Sequence, residues 1–240
     1  MKLVIRPLLI LLCLLAPATL ADPAENLAAA VRFQTISHQQ QGLLDTEAFL
    51  GLHQFLRQTY PRVFSELQVE VINDYSLLII WDGTDDTRKP VLFTSHIDVV
   101  PVEPGTESGW THPAFAGVIA DGNIYGRGTL DDKVGVISLL EAAESLLAAG
   151  YQPQRTLVFG FGHDEEVGGQ QGAGMIAQRM RELGLYFEWM VDEGSFIVAD
   201  NPMIKGRPVA LVGVAGRAAR QRLGTRRQMR CERESYRGST

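Results

Sequence analysis

The chain has 240 residues, 45% of them hydrophobic and 21% charged, ordinary proportions for a globular protein and enough length for one large domain or two small ones. Its formal net charge of −6 is uneven: residues 216–240 carry eight Arg against two Glu, which leaves −12 on the 215 residues before them. The composition excludes a disordered or collagen-like chain, no internal period marks a repeat array, and the acidic body argues against nucleic-acid binding.

At the N-terminus, Lys2 and Arg6 precede an apolar run from Leu8 to Leu15 and then small residues. That order is a secretory signal peptide, with cleavage expected after Ala21 or else Ala18, so residues 1–21 read as leader and the mature protein as secreted or periplasmic. The run is shorter than the roughly 20 residues of a membrane helix, which argues against a stable span; an uncleaved leader acting as anchor is the alternative. Cys13 lies in this leader and Cys231 in the basic tail. No disulfide can therefore staple the body, and any metal there must use His, Asp and Glu.

The body follows. Apolar periodicity predicts helices over 24–34 and 46–60, the second with Phe49, Leu52, His53 and Leu56 on one face. LQVEVI (67–72) and SLLIIWDG (76–83) read as a strand pair around an Asn73-Asp74 turn, and PVLFTSH (90–96) as a buried strand. After a long Pro- and Gly-containing loop, Asp121-Gly122 lies between short apolar runs as a hairpin signal. A helix is expected from Asp132 to Ala149, closed by Gly150, then a strand at 155–161, a helix at about 172–183, and strands YFEWMV (186–191) and PVALVGV (208–214). Strands alternating with helices predict an α/β layered domain with a largely parallel central sheet over residues 22–215, whose ligand crevice lies beyond the strands' carboxyl ends.

Four chemistry-bearing stretches fall at or after those strand ends. In SHIDVV, His96 and Asp98 are two apart and point the same way in extended backbone. A metal-bound imidazole usually donates its second ring N–H to a carboxylate or carbonyl, although a strand-capping His and a turn Asp explain this stretch alone. In GRGTLDDK, glycines turn the chain into a helix that begins at Asp131 and Asp132; capping explains one carboxylate and leaves the other free for a cation. The run GHDEEVGG places Asp164, Glu165 and Glu166 together, and MVDEGSF ends a strand with Asp192 and Glu193; each alone fits an exposed turn. Together they would crowd one crevice with negative charge unless cations neutralise it. Imidazole and carboxylates suit Zn2+, Mn2+ or Co2+, and one of two adjacent Glu could bind metal while the other accepts a water proton.

In this order SHIDVVPV, GRGTLDDK, GHDEEVGG and VDEGSF resemble the M20 family of metallopeptidases and amidohydrolases, closest to its carboxypeptidase S and N-acyl-amino-acid hydrolase branch, over residues 30–215. The resemblance implies two Zn2+ per complete site, His96 as ligand of one zinc with Asp98 orienting it, and Asp131 bridging both. It implies Glu165 as general base, Glu166 as ligand of the second zinc and Asp192 as ligand of the first, a place some members give to the residue matching Glu193. The bond after Asp131 is expected to be cis. Trp110, Pro113 and Phe115 match a W…PF loop and read as packing residues, Lys133 as structural, and His112 and His163 as ordinary polar residues.

The family's second, smaller domain with a GGHSS-like stretch and its last His ligand have no counterpart here, and a homodimer is expected only of a full-length parent. The Arg-rich text after residue 215 reads as translation in a shifted frame, with a natural basic tail as the alternative. The implied activity is zinc-dependent hydrolysis of a peptide or N-acyl amide bond next to a free carboxylate, weakened by truncation. A small-metabolite deacetylase or aminoacylase and a non-catalytic metal-binding module are the rival readings.

Overall fold

The structure is a computed structural model that describes residues 22–193 and, by backbone, the short strands Ile197–Val198, Val209–Ala210 and Val214–Ala215. The expected leader and basic tail lie outside the described residues.

Helix α1, Pro23–Val31, starts where Asp22 accepts a hydrogen bond from Ala24 N and Pro23 needs none. Helix α2, Thr46–Thr59, is capped by Asp45, which accepts from Glu47 N and Ala48 N. It buries Phe49, Leu52, His53 and Leu56, the face its periodicity announces. A third helix, α3 (Pro61–Glu66), was not anticipated: one and a half turns are too short for a periodic signal. Its cap comes from far along the chain, because Glu144 is buried and accepts from Arg62 N and Val63 N with its two oxygens.

Strands β1 (Gln68–Ile72) and β2 (Ser76–Trp81) pair antiparallel across Asn73 and Asp74, whose φ of 48° and 68° suit an Asx-rich tight turn. Strand β3 (Val91–His96) is followed by the long loop and a small hairpin, β4 (Val118–Ala120) and β5 (Asn123–Tyr125), turned by Asp121-Gly122 as expected. Helix α4 (Lys133–Ala148), strand β6 (Leu157–Gly162) and helix α5 (Ala173–Glu182) follow, then β7 (Met190–Val191), β8 (Ile197–Val198), β9 (Val209–Ala210) and β10 (Val214–Ala215). The expected strand over 186–191 contributes only its last two residues to the ladder. Opposite its start stands Pro90, which offers a carbonyl to Glu188 N but has no N–H to extend the pairing. The expected strand at 208–214 is divided, β9 pairing with β8 and β10 with β7.

The main sheet has the order β1-β2-β6-β3-β7-β10. Its centre, β6-β3-β7, is parallel, and the outer pairings are antiparallel. Period-2 alternation divides two cores. Leu77, Ile79, Phe159 and Phe161 face α1 to α4, while Leu78, Leu92 and Val158 face Ile176, Ala177 and Met180 of α5. The chain leaves β3 through α4 to β6 on one side and returns through α5 to β7 on the other. That reversal puts a topological switch point at the carboxyl end of β3, where ligand crevices form in such sheets. No helix among the described residues is long and apolar enough to cross a membrane.

Candidate metal centre

His96 ends β3 and is 2% exposed. Its Nδ1 lies 3.0 Å from the Asp98 carbonyl oxygen and 3.3 Å from Asp98 Oδ1, both acceptors, so Nδ1 carries a proton. Nε2 faces the crevice, 2.9 Å from Asp131 Oδ1 and 3.4 Å from Glu193 Oε2. Burial would depress the His96 pKa, but the hydrogen bond and charge of Asp98, followed by Glu193 and Asp131, lift it to about 10.

Asp98 is fully buried, and its position explains more than the ring it orients. Oδ1 accepts from Glu165 N at 3.1 Å and Oδ2 from Glu166 N at 3.2 Å. One carboxylate therefore fixes both the imidazole on β3 and the backbone of the acidic turn after β6. Burial favours its neutral form, but His96 and the Glu166 N–H outweigh that and hold the pKa below the usual carboxylate range.

The Asp131–Asp132 peptide bond is cis, as anticipated. The two side chains part company: Asp131 is 66% exposed toward the crevice, while Asp132 is buried and accepts from Ser95 Oγ at 2.5 Å. Asp132 thus does not cap α4 with its side chain as capping logic suggests, because Ser95, one residue before His96, claims it. Gly135 completes the fit. A Cβ there would stand 2.6 Å from Ser95 Oγ and 2.8 Å from the Asp132 carboxylate.

The Asp164-Glu165-Glu166 triplet also divides by role. Asp164 is buried and accepts from Gln171 N and Gly172 N, both at 2.7 Å, so it closes the loop that Gly168 and Gly169 turn. Glu165, exposed, and Glu166, half-buried, begin a single 3-10 turn beside the crevice. Burial raises the pKa of each; the charges of Asp98 and Asp131 push Glu165 further, and Asp131 pushes Glu166. Glu193 is raised to about 7, by burial first and then by Asp131, Asp132 and Glu165. Asp192 Oδ1 instead accepts from Thr94 Oγ1 at 2.7 Å.

Two ligand sets share His96: one with Asp131 and Glu166, the other with Asp132 and Glu193, the donor atoms of each lying within 4.8 Å of one another. The first unites three of the residues singled out in the sequence. In the second, Glu193 stands where Asp192 was expected, and Asp132 joins from behind. One imidazole beside several crowded carboxylates, of which Asp132, Glu165, Glu166 and Glu193 have raised pKa values, is an environment a divalent cation relieves, so the donor set fits such an ion.

The other singled-out residues have structural partners. Lys133, 1% exposed, donates to Ala30 O at 3.0 Å and Phe33 O at 2.5 Å and so ties the C-terminal end of α1 to the start of α4. His163 shares a 2.7 Å hydrogen bond with Ser76 Oγ and packs edge-on against Phe49 and Tyr75. His112 packs on Tyr125, and Trp110, Pro113 and Phe115 line an open cleft. Sequence reasoning passed over Ser95 and named Asp132 and Asp164 without separating their roles from those of their neighbours; a Ser flanking a metal-type His and a carboxylate ahead of two glycines were the available signals.

Residues 92–236 match the family model described as peptidase family M20/M25/M40. The chain is 43% identical over 202 residues to "Probable carboxypeptidase S-like 2" of Dictyostelium discoideum, covering 82% of this chain and 38% of that protein. It is 38% identical over 197 residues to "N-fatty-acyl-amino acid synthase/hydrolase PM20D1" of Mus musculus, covering 81% and 38%. Among solved structures it resembles human carnosine dipeptidase 1 with a TM-score of 0.61 at 21% identity, over 73% of this chain and 39% of that one. An M20 family metallo-carboxypeptidase, Sso-CP2 from Sulfolobus solfataricus, gives 0.58 at 20% identity, over 73% and 38%. The chain thus spans about two-fifths of the length of these relatives.

Proposed function

This chain belongs to peptidase family M20/M25/M40, and on that footing we propose that it carries the metal-binding half of a zinc-dependent hydrolase acting on a peptide or N-acyl amide bond next to a free carboxylate. The observation that carries the reading is the meeting of His96 Nε2, Asp131, Glu166 and Glu193 at the end of β3, with Glu165 beside them. His96, Asp131 and Glu166 would hold Zn2+, with Asp192 or Glu193 completing the first site; the 3.4 Å approach of Glu193 to His96 favours Glu193. A divalent ion held by these residues would supply Lewis acidity, polarising a substrate carbonyl and lowering the pKa of water.

The chain's own groups do the rest. Asp98 keeps the His96 Nδ1 proton in place, leaving Nε2 as a donor pair for metal. Glu165, its backbone pinned by Asp98 and its carboxyl pKa raised by burial, takes the proton of the attacking water as the C–O bond forms. It then delivers that proton to the departing nitrogen as the C–N bond breaks, which leaves a carboxylic acid and an amine. Residues 1–21 act as an export leader; the shifted-frame reading of residues 216–240 rests on their Arg-rich composition alone, since the family-model match runs on to residue 236.

The zinc-loaded chain assayed with N-acyl amino acids and dipeptides tests this reading. Slow, chelator-sensitive turnover abolished by Glu165→Ala is expected. Turnover that survives Glu165→Ala would refute the assignment of the base. Sequencing the coding DNA around codon 215 tests the tail, and N-terminal sequencing of the exported protein tests the leader.

A further inference from the structure

The side chains of Glu165 and Glu166 accept no hydrogen bond among the described residues, so their placement is inherited from the loop that carries them. Asp98 holds the two backbone amides of that loop. A second element, the turn between β1 and β2, grips the loop at both ends. Where β6 ends, His163 Nδ1 lies 2.7 Å from Ser76 Oγ, and the ring packs edge-on against Tyr75 at 5.4 Å and Phe49 at 6.2 Å. At the far end, Asn73 Nδ2 donates to Gln171 O at 3.0 Å and Gln171 Oε1 at 3.2 Å, while Gln171 N and Gly172 N donate to Asp164. Gly172 lets these layers close, since a Cβ there would stand 2.5 Å from Asp164 Oδ1, 2.8 Å from His163 N and 3.1 Å from Ser76 Oγ. The β1–β2 turn is in its own right fixed to α2, because His53 Nε2 lies 2.7 Å from Tyr75 O.

Ser76 and His163 form a polar pair where apolar side chains would pack without a desolvation cost. Ser76 is fully buried at the start of the apolar strand β2, and His163 is 5% exposed. Among the described residues, the Ser76 hydroxyl bonds this ring alone. A buried hydroxyl and imidazole without partners would each be unfavourable, so the pair holds one mutual direction where an apolar pair would only fill volume.

We propose that His163, oriented by Ser76, is a positioning residue of the metal centre. It fixes where the chain leaves β6, and so where Glu165 and Glu166 stand two and three residues later. The role rests on the reading of Glu166 as a ligand and Glu165 as the base, and it extends the centre's support to side chains outside the ligand sets around His96. Asp98 alone would leave the loop free to swing about its two amide bonds; the Ser76–His163 pair and the Asn73–Gln171 bonds remove that freedom.

The test is calorimetric titration of the full chain with Zn2+, comparing wild type with Ser76→Ala, His163→Phe, the two combined, and Met180→Ala. Met180 is buried in the core beneath α5, toward the opposite end of that helix from Gly172, so its truncation costs stability without touching the loop. Ser76→Ala and His163→Phe should each weaken zinc binding about tenfold, the lower edge for residues behind a ligand. The double variant should stay within about twofold of the weaker single, because both remove the same bond. Met180→Ala, although less stable in urea, should bind zinc within about threefold of wild type. In the metal-free Ser76→Ala chain, the Glu165 and Glu166 amides should exchange at least about tenfold faster relative to those of Val158 and Phe159 in β6. Zinc affinity within about twofold of wild type in both singles, additive losses in the double, or an equal loss in Met180→Ala overturns the proposal. The two readings fail separately: Glu166→Ala binding zinc as wild type removes the ligand and with it the support, whereas loss in Glu166→Ala with none in Ser76→Ala removes the support alone. Should His163→Phe fail to fold, Ser76→Ala, which deletes one oxygen, still decides it through affinity and exchange.

Discussion

Replacing Asp98 with Asn removes a charge without removing bulk, and its cost can be worked out bond by bond. The carboxylate is fully buried and serves Glu165 N at 3.1 Å, Glu166 N at 3.2 Å and His96 Nδ1 at 3.3 Å. An amide retains one oxygen, so one of the two backbone donors loses its acceptor and meets an N–H instead. Leaving one buried donor unsatisfied costs about 1–3 kcal/mol, and the loss of charge assistance from the remaining bonds adds about 1 kcal/mol. We expect Asp98→Asn to lower unfolding stability by about 2–4 kcal/mol in urea melts of the metal-free chain. Partners behind a metal ligand typically alter affinity 10- to 100-fold, so zinc binding should weaken by about that factor. Hydrogen exchange should separate local from global effects, with the Glu165 and Glu166 amides exchanging faster than those of β3. Stability within about 0.5 kcal/mol of wild type, zinc affinity unchanged and both amides still protected would refute the reasoning.

Three further outcomes follow from the same packing. Glu144→Ala should destabilise by about 2–4 kcal/mol because it strips the acceptors from two backbone N–H groups of α3, whereas Glu144→Gln should lose roughly half of that; denaturant midpoints check the order. Gly135→Ala should weaken zinc binding more than Gly150→Ala, since its Cβ would press on Ser95 and Asp132 while that of Gly150 meets open space, and calorimetry compares them. His53 is held neutral by burial, with Nε2 2.7 Å from Tyr75 O, and its pKa is lowered. Its contribution is complete above the unfolded value of 6.5 and is lost as pH falls from there through the folded value, so melting temperature should drop below pH 6.5 less steeply in His53→Phe than in wild type.

Much of this was legible from local rules. Alternation, helical spacing and turn residues located the sheet strands and the buried face of α2, and acids placed after strands located the crevice. What escaped depended on distant partners. Helix α3 is made possible by Glu144, some 80 residues later, and six residues cannot announce a period. The two members of Asp131-Asp132 are chemically equal in sequence; only Ser95 reaching Asp132 tells which one turns inward. The same holds for Asp164, which is claimed by the amides of Gln171 and Gly172 rather than by the crevice. At Asp192-Glu193 the longer side chain reaches His96 while the shorter is taken up by Thr94, a distinction that turns on where β7 stops pairing.

The measurement that bears most directly on the centre is calorimetric titration of the metal-free chain with Zn2+, comparing wild type with His96→Ala, Glu166→Ala and Glu165→Ala. The account predicts that His96→Ala and Glu166→Ala lose affinity at least about 100-fold, a pair of direct ligands, while Glu165→Ala stays within about threefold of wild type. Zinc binding that survives His96→Ala, or that falls as far in Glu165→Ala as in Glu166→Ala, would contradict it.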